Sequence, residues 1–319
     1  MTLGLVVVYI VPEGDEALLR LHLESLARHT ASDYRIYGSV HRTSASARRV
    51  LDTHPEVSQI ALRDEGVRGS REFSRYLSRL LDLAVAEGVE NLVIMDLDAF
   101  PIRAGWDLEV RERLAEGNAL VAMLRDENAG DPRPATPFIW LPASLYRQCG
   151  PMPGHPGEPS ADPEFEAYRR ALGRIDVSDA FGYWIERHQL AWHPLRRTNA
   201  ANDHPLLGGI YGDLVFHLGG AVRRGAWTQR DRSELATARL RSWLRDCLVT
   251  PQRRPMRVPL WLKRLLLPAE ARRLAANRKA FELIRARLLA DPEAYIAYLR
   301  GERPDPPVAE LPPVEPVEG

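Results

Sequence analysis

The chain has 319 residues, enough for one large α/β domain with an appendage or for two modest domains, and its hydrophobic share is that of an ordinary globular protein. Its 43 lysines and arginines offset 43 aspartates and glutamates, so it lacks the basic excess of a nucleic-acid binder. The two cysteines, Cys149 and Cys247, form no CxxC pair, which excludes a disulfide framework and argues against structural zinc.

Leu3 to Val11 is an unbroken apolar run closed by Pro12-Glu13-Gly14-Asp15, the pattern of a buried first strand and a turn. Asp15 is placed to cap a helix whose apolar face is Leu18, Leu19, Leu21, Leu23, Leu26 and Ala27. Tyr34 to Val40 follows as a second strand and completes a β-α-β unit. Ser44 to Asp52 has helical character, and Val57 to Leu62 that of a short strand. The charged loop Arg63 to Ser70 holds two glycines and leads into an amphipathic helix from Phe73 to Val85 that stops at Gly88. Such a loop can offer N–H groups to phosphate, although this one matches neither Walker A nor GxGxxG.

Asn91 to Ile102 is the stretch on which the rest depends. Leu92 to Met95 run into Asp96-Leu97-Asp98, and Pro101 cannot donate to a ladder. On an extended chain Asp96 and Asp98 point to the same side, because side chains repeat every two residues. Two carboxylates aimed together repel unless a cation lies between them, and Mg²⁺ or Mn²⁺ would serve. The alternative is a solvated strand end.

Beyond it, Trp106 to Leu114 is a predicted helix and Asn118 to Leu124 a buried strand. Arg125 to Pro137 is predicted as a surface loop, and Phe138 to Leu141 as a short strand with Trp140 in the core or on a pocket wall. Gly150 to Pro163 is irregular. Asp176 and Asp179 have the spacing of a helix cap with an acidic third position. His217, in Phe216-His217-Leu218-Gly219-Gly220, is either a satisfied core histidine or a metal ligand, with His204 competing for the latter role. After Ser233 the pattern turns helical. Val258 to Leu267 is short, apolar and basic-flanked, and suits either a membrane surface or a buried helix packed on the core or on a second subunit. Asn277 to Leu299 is predicted as one helix, and Arg303 to Gly319, acidic and proline-rich, as disordered.

The string Asp96-Leu97-Asp98-Ala99-Phe100-Pro101-Ile102, with Trp106 shortly after and several β-α units before, resembles the nucleotide-sugar-dependent glycosyltransferases of the GT-A fold, in a bacterial, family-2-like branch. The resemblance covers residues 1 to 225. It implies a GT-A-like, Rossmann-like α/β fold, mostly parallel and flanked by helices, over 1–228. A helical C-terminal extension over 229–302 and the tail 303–319 would follow. It further implies transfer of a sugar from a nucleotide-diphosphate donor to a hydroxyl acceptor such as a glycan, with Mn²⁺ or Mg²⁺. Asp98 and His217 would bind the metal and Asp96 the metal water or donor ribose. Leu97, Tyr9, Val11, Glu13, Arg68 and Ser70 would border the donor, with Arg71 a further candidate. Asp176 or Asp179 would be the general base, Asp176 being preferred.

Two other readings remain. A haloacid dehalogenase-type phosphatase also opens on Asp-x-Asp, but it expects threonine or valine where Phe100 stands and a lysine in the core, whereas Lys263 and Lys279 lie in the C-terminal helices. A non-catalytic, nucleotide-binding or scaffold protein of the same fold is the alternative from another class. The start lacks signal-peptide marks and no run reaches the ~18 apolar residues of a membrane span, so the expected location is the cytoplasm, with peripheral contact at the inner membrane face through 256–267. Oligomerisation is left open.

Overall fold

The computed structural model describes residues 2–128, 131–172, 176–220 and 268–309, with side chains from 275 onward in the last segment. The membrane-contact candidate at 256–267 therefore lies outside the described residues. The chain divides into two units, the first made of residues up to 125, 132–198 and 210–217, the second of 126–131, 199–209 and 218 onward.

In chain order the strands are β1 (Leu3–Val11), β2 (Tyr34–Thr43), β3 (Val57–Ile60), β4 (Asn91–Met95), β5 (Ala99–Pro101), β6 (Leu120–Leu124), β7 (Pro134–Pro142), β8 (Trp192–Leu195), β9 (Gly209–Tyr211) and β10 (Val215–His217). The helices of the first unit are α1 (Glu16–His29), α2 (Ala45–Asp52), α3 (Ser70–Ala86), α4 (Trp106–Ala115), α5 (Ala143–Cys149), α6 (Pro163–Leu172) and α7 (Asp179–His188). Seven strands form a sheet in the order β3-β2-β1-β4-β7-β6-β8, in which β7 alone runs antiparallel to its neighbours. The expected mostly parallel α/β sheet is the one observed.

Alternation along β1 explains its unbroken apolar run. Leu3, Leu5, Val7, Tyr9 and Val11 pack in one layer with α1, α2 and α4, while Val6 and Val8 pack in the other with α3, α5 and α7. A strand covered on both faces has no solvent side to mark with polar residues. β4 repeats the pattern, with Val93 and Met95 in the first layer and Leu92 and Ile94 in the second. Trp106, Phe138 and Trp140 meet edge to face in the first layer, so Trp140 is core and no pocket wall.

Several boundaries differ from expectation. Asp15 precedes α1 but its side chain makes no cap bond, whereas Ser44 caps α2 by accepting from the Ala47 N–H at 3.2 Å. Residues 134–137, expected in a loop, belong to β7, because antiparallel pairing with β6 at Pro134 and Ala135, and the Asp96 N–H on Pro137 O, engage a segment whose prolines and polar side chains suggested a turn.

In the second unit the stretch expected as one helix is two, α8 (Pro268–Ala290) and α9 (Pro292–Leu299). Pro292 has no N–H for the ladder, and Asp291 restarts the helix by accepting from the Ala294 N–H at 2.9 Å. Phe281, Ile284, Leu288, Tyr295, Ile296 and Leu299 are its buried apolar residues. Asp203 accepts from Arg287 at 2.5 Å and from the Tyr295 hydroxyl at 2.9 Å. No helix among the described residues is long and apolar enough to cross a membrane.

Candidate metal centre

β1 has β2 on one side and β4 on the other, so the order of connection reverses between β1 and β4. In open α/β sheets ligands bind at the strands' carboxyl ends beside such a reversal. β4 ends at Met95 and delivers Asp96 to that edge. β1, β2 and β3 run parallel to β4, so the turns after Val11 and Ile60, with Glu13 and Arg68, leave the same edge.

Asp96-Leu97-Asp98 is a turn and not an extended strand end. The Ala99 N–H returns to the Asp96 carbonyl at 3.0 Å, and the Asp96 N–H bonds Pro137 O at 3.2 Å. The two carboxylates therefore approach by folding back, not by the two-residue alternation of a strand. Pro101 closes β5, an edge strand of a separate three-stranded sheet, β5-β10-β9. Ile102 donates to Leu214 O at 2.9 Å on the β10 side. The other edge of β5 meets α1, where His22 bonds the Ala99 carbonyl at 2.9 Å and Ser25 donates to the Pro101 carbonyl. Proline's missing N–H leaves nothing unsatisfied there.

His217 arrives on the hairpin from β9 to β10. Gly212 and Asp213 have φ of 60° and 58°, and the Leu214 N–H bonds Tyr211 O at 3.1 Å, which together make a type I′ turn. The antiparallel register then sets Val215 opposite Pro101, Phe216 opposite Phe100 and His217 opposite Ala99. Phe100 and Phe216 pack with tilted rings at 5.2 Å between ring centres and help hold that register.

One ligand atom each from Asp96, Asp98 and His217 lie within 4.8 Å of one another, and His217 Nε2 is 3.6 Å from Asp98 Oδ1. Asp98 and His217 are buried and Asp96 is partly so. Two ligands each ~2.1 Å from an ion lie about 3 Å apart when adjacent and about 4.2 Å apart when opposite. The trio thus needs only a small closure to share one divalent cation. Two carboxylate oxygens with one imidazole nitrogen suit Mn²⁺ better than Mg²⁺ or Ca²⁺, which prefer oxygen alone.

The carbonyl of Ala99 can only accept, so His22 carries its proton on Nδ1. Burial pushes the His22 pKa down to about 4, against the pull of Ala99 O and Asp98, and the ring stays neutral. Both nitrogens of His204, the competing candidate, are engaged in the second unit, Nε2 with Asn277 Oδ1 at 3.1 Å and Nδ1 with the Leu206 N–H at 3.2 Å.

The other predicted positions are dispersed. Tyr9 and Val11 are fully buried in the core, so their side chains offer nothing to solvent, and Glu13 is exposed in the turn that follows. Leu97 is 7% exposed. Arg68 is exposed and pairs with Asp64 at 2.8 Å, while Ser70 opens α3 behind Gly69. Arg71 instead ties down the loop at 156–158, donating to Gly157 O at 3.0 Å. Asp179 is buried, paired with Arg133 at 2.6 Å, and its second oxygen accepts the Asp176 N–H at 2.7 Å. Asp176 is partly exposed, with Oδ1 on the Val177 N–H at 2.7 Å.

The sequence matches no protein-family model and no curated protein. Among solved structures, the mannosyltransferase PcManGT from Pyrobaculum calidifontis, in complex with GDP-Man and Mn²⁺, is similar to this chain with 15% identity and a TM-score of 0.37. The similarity covers 55% of this chain and 53% of that one, about half the length of each.

Proposed function

We propose that this chain is a divalent-metal-dependent glycosyltransferase that moves a sugar from a nucleotide-diphosphate donor to a hydroxyl acceptor. The observation that supports the reading is the convergence of Asp96, Asp98 and His217, from two distant parts of the chain, at the carboxyl edge beside the β1/β4 reversal. Asp98 and His217 would hold Mn²⁺, with Asp96 on a metal-bound water or the donor ribose. When bound, the cation supplies positive charge where the departing diphosphate becomes more negative. The donor would lie along the edge formed by the turn at Glu13, Leu97 and the start of α3 with Arg68 and Ser70. Tyr9 and Val11 contribute through backbone alone.

Asp176 is the proposed general base, taking the proton of the acceptor hydroxyl as the anomeric carbon is attacked. Asp179 is committed to Arg133 and to the Asp176 N–H, which makes it a support for Asp176 and not a second base. A glycan is the proposed acceptor class.

A thermal-shift panel of UDP, GDP, CDP and dTDP, each with and without Mn²⁺, tests the reading. A ligand at about 100 times its Kd adds ~2.7 kcal/mol, several degrees for a unit of this size. The expected result is a shift that needs both Mn²⁺ and one diphosphate, and that Asp98→Asn abolishes while its metal-free melt stays within about 1 kcal/mol of the parent. No shift under any condition would sink the reading.

A further inference from the structure

We propose that His22 is a positioning residue for the metal centre, setting the pose of both Asp98 and His217 through Ala99. The inference rests on the metal-centre reading above. Ala99 follows Asp98 in the chain and lies opposite His217 across the β5/β10 ladder, whose neighbouring rung is Phe100 with Phe216, so the place of Ala99 along that ladder fixes Asp98 directly and His217 through the register. The Ala99 carbonyl takes the Nδ1 proton of His22 at 2.9 Å. One turn along α1, Ser25 donates to the Pro101 carbonyl. Residues three apart share a helix face, and carbonyls two apart share a strand edge, so two side chains grip two successive carbonyls of β5. A three-residue strand ending in proline has few bonds of its own with which to hold a register, and any slide of Ala99 carries both ligands with it.

Filling the core would not explain an imidazole at this place. His22 sits in the layer of Leu19, Leu23 and Leu26, fully buried, and its Nε2 has no hydrogen-bond partner. Leucine would avoid that cost. What leucine cannot supply is the donor at Nδ1.

Asparagine puts an amide nitrogen where Nδ1 sits, glutamine puts one where Nε2 sits, and leucine supplies neither. The full-length parent, His22→Asn, His22→Gln, His22→Leu and Ser25→Ala are titrated with Mn²⁺ alone, following free Mn²⁺ by electron paramagnetic resonance, with a melting curve for each. The Kd of the Gln and Leu variants is expected to rise about 10- to 100-fold, the range seen when the supports of metal ligands are removed, with the Asn variant within about 3-fold of the parent. Ser25→Ala falls between. Cooperatively melting Gln and Leu variants that bind Mn²⁺ as the parent does would overturn the role, as would an Asn variant that loses as much as Gln. Should the Leu variant fail to fold, the Asn against Gln comparison and Ser25→Ala decide. A parent that binds no Mn²⁺ overturns the metal-centre reading itself, and the role of His22 with it.

Discussion

Asp179 and Asp98 are both nearly excluded from solvent, and the chain answers their charge in different ways. Asp179 has a guanidinium, Arg133, at 2.6 Å and a backbone N–H at 2.7 Å, so its neutralising charge is built into the polypeptide. Glu72, fully buried, is treated likewise, with His41 at 3.0 Å and Arg42 at 2.7 Å. Among the described residues, those gathered around Asp98 are an imidazole and a second carboxylate, ligand types that one divalent cation can take together. A buried acid is therefore not by itself a site. What marks a candidate is a set of neighbouring ligand atoms that one cation could share.

The largest effect that would break the contrast is in stability. Arg133→Met leaves the Asp179 carboxylate buried beside an apolar side chain, and one-sided removal of a buried ion pair costs about 3–5 kcal/mol. Urea unfolding of this variant should show that loss, where Asp98→Asn in metal-free buffer shows little. Equal stabilities for the two variants would mean that Arg133 does not serve as the charge partner of Asp179.

A slightly smaller effect concerns His22, which is kept neutral by burial and not by a partner's charge. Its pKa is near 4 when folded against 6.5 for the free side chain, so between those values the unfolded chain binds a proton that the folded chain does not. Stability is complete above about 6.5 and falls as pH drops toward 4, by on the order of 3 kcal/mol. In His22→Asn, which has nothing to titrate there, this loss should be missing, so the parent's unfolding free energy should fall relative to the variant's by that amount as the pH drops through that window. Parallel curves would mean that the ring is protonated or solvated in the folded state.

Much of the main sheet was legible because strands covered on both faces leave unbroken apolar runs, as at Leu3 to Val11 and Leu92 to Met95. Length and direction were not. β7 was cut short because Pro134 and Thr136 look like loop chemistry, and nothing local marks a strand as antiparallel. The sequence named the three groups that come within 4.8 Å, but Asp96 and Asp98 meet through a turn and not through strand alternation. β5 is not legible locally, because a proline closes it and only the fold supplies an edge on which the missing N–H does no harm. His22 has a signal of its own in the sequence. A histidine and a serine three residues apart interrupt the face of Leu19, Leu23 and Leu26, and polar groups at core positions of a helix require partners.

The smallest effect tests how the remote ligand is delivered. Asp98 reaches the centre by a local turn after β4, whereas His217 depends on a hairpin whose two central residues are both left-handed, Gly212 at 60° and Asp213 at 58°. Aspartate tolerates that region, and a β-branched side chain does not, at a cost of about 1–2 kcal/mol. Asp213→Val should lower stability by that amount and weaken Mn²⁺ binding by a few-fold, while Asp213→Gly leaves both near the parent. The second consequence follows from register. Side chains on a strand alternate between faces, so a hairpin that relaxes by one residue turns His217 away from Asp98 altogether. Because Phe216 packs on Phe100 within the same ladder, most molecules should keep the native pairing, which is why the expected loss of affinity is small. If Asp213→Val loses stability but binds Mn²⁺ unchanged, the aromatic pair and not the turn holds His217 in place, and Phe216→Ala becomes the variant that separates the two halves of the centre.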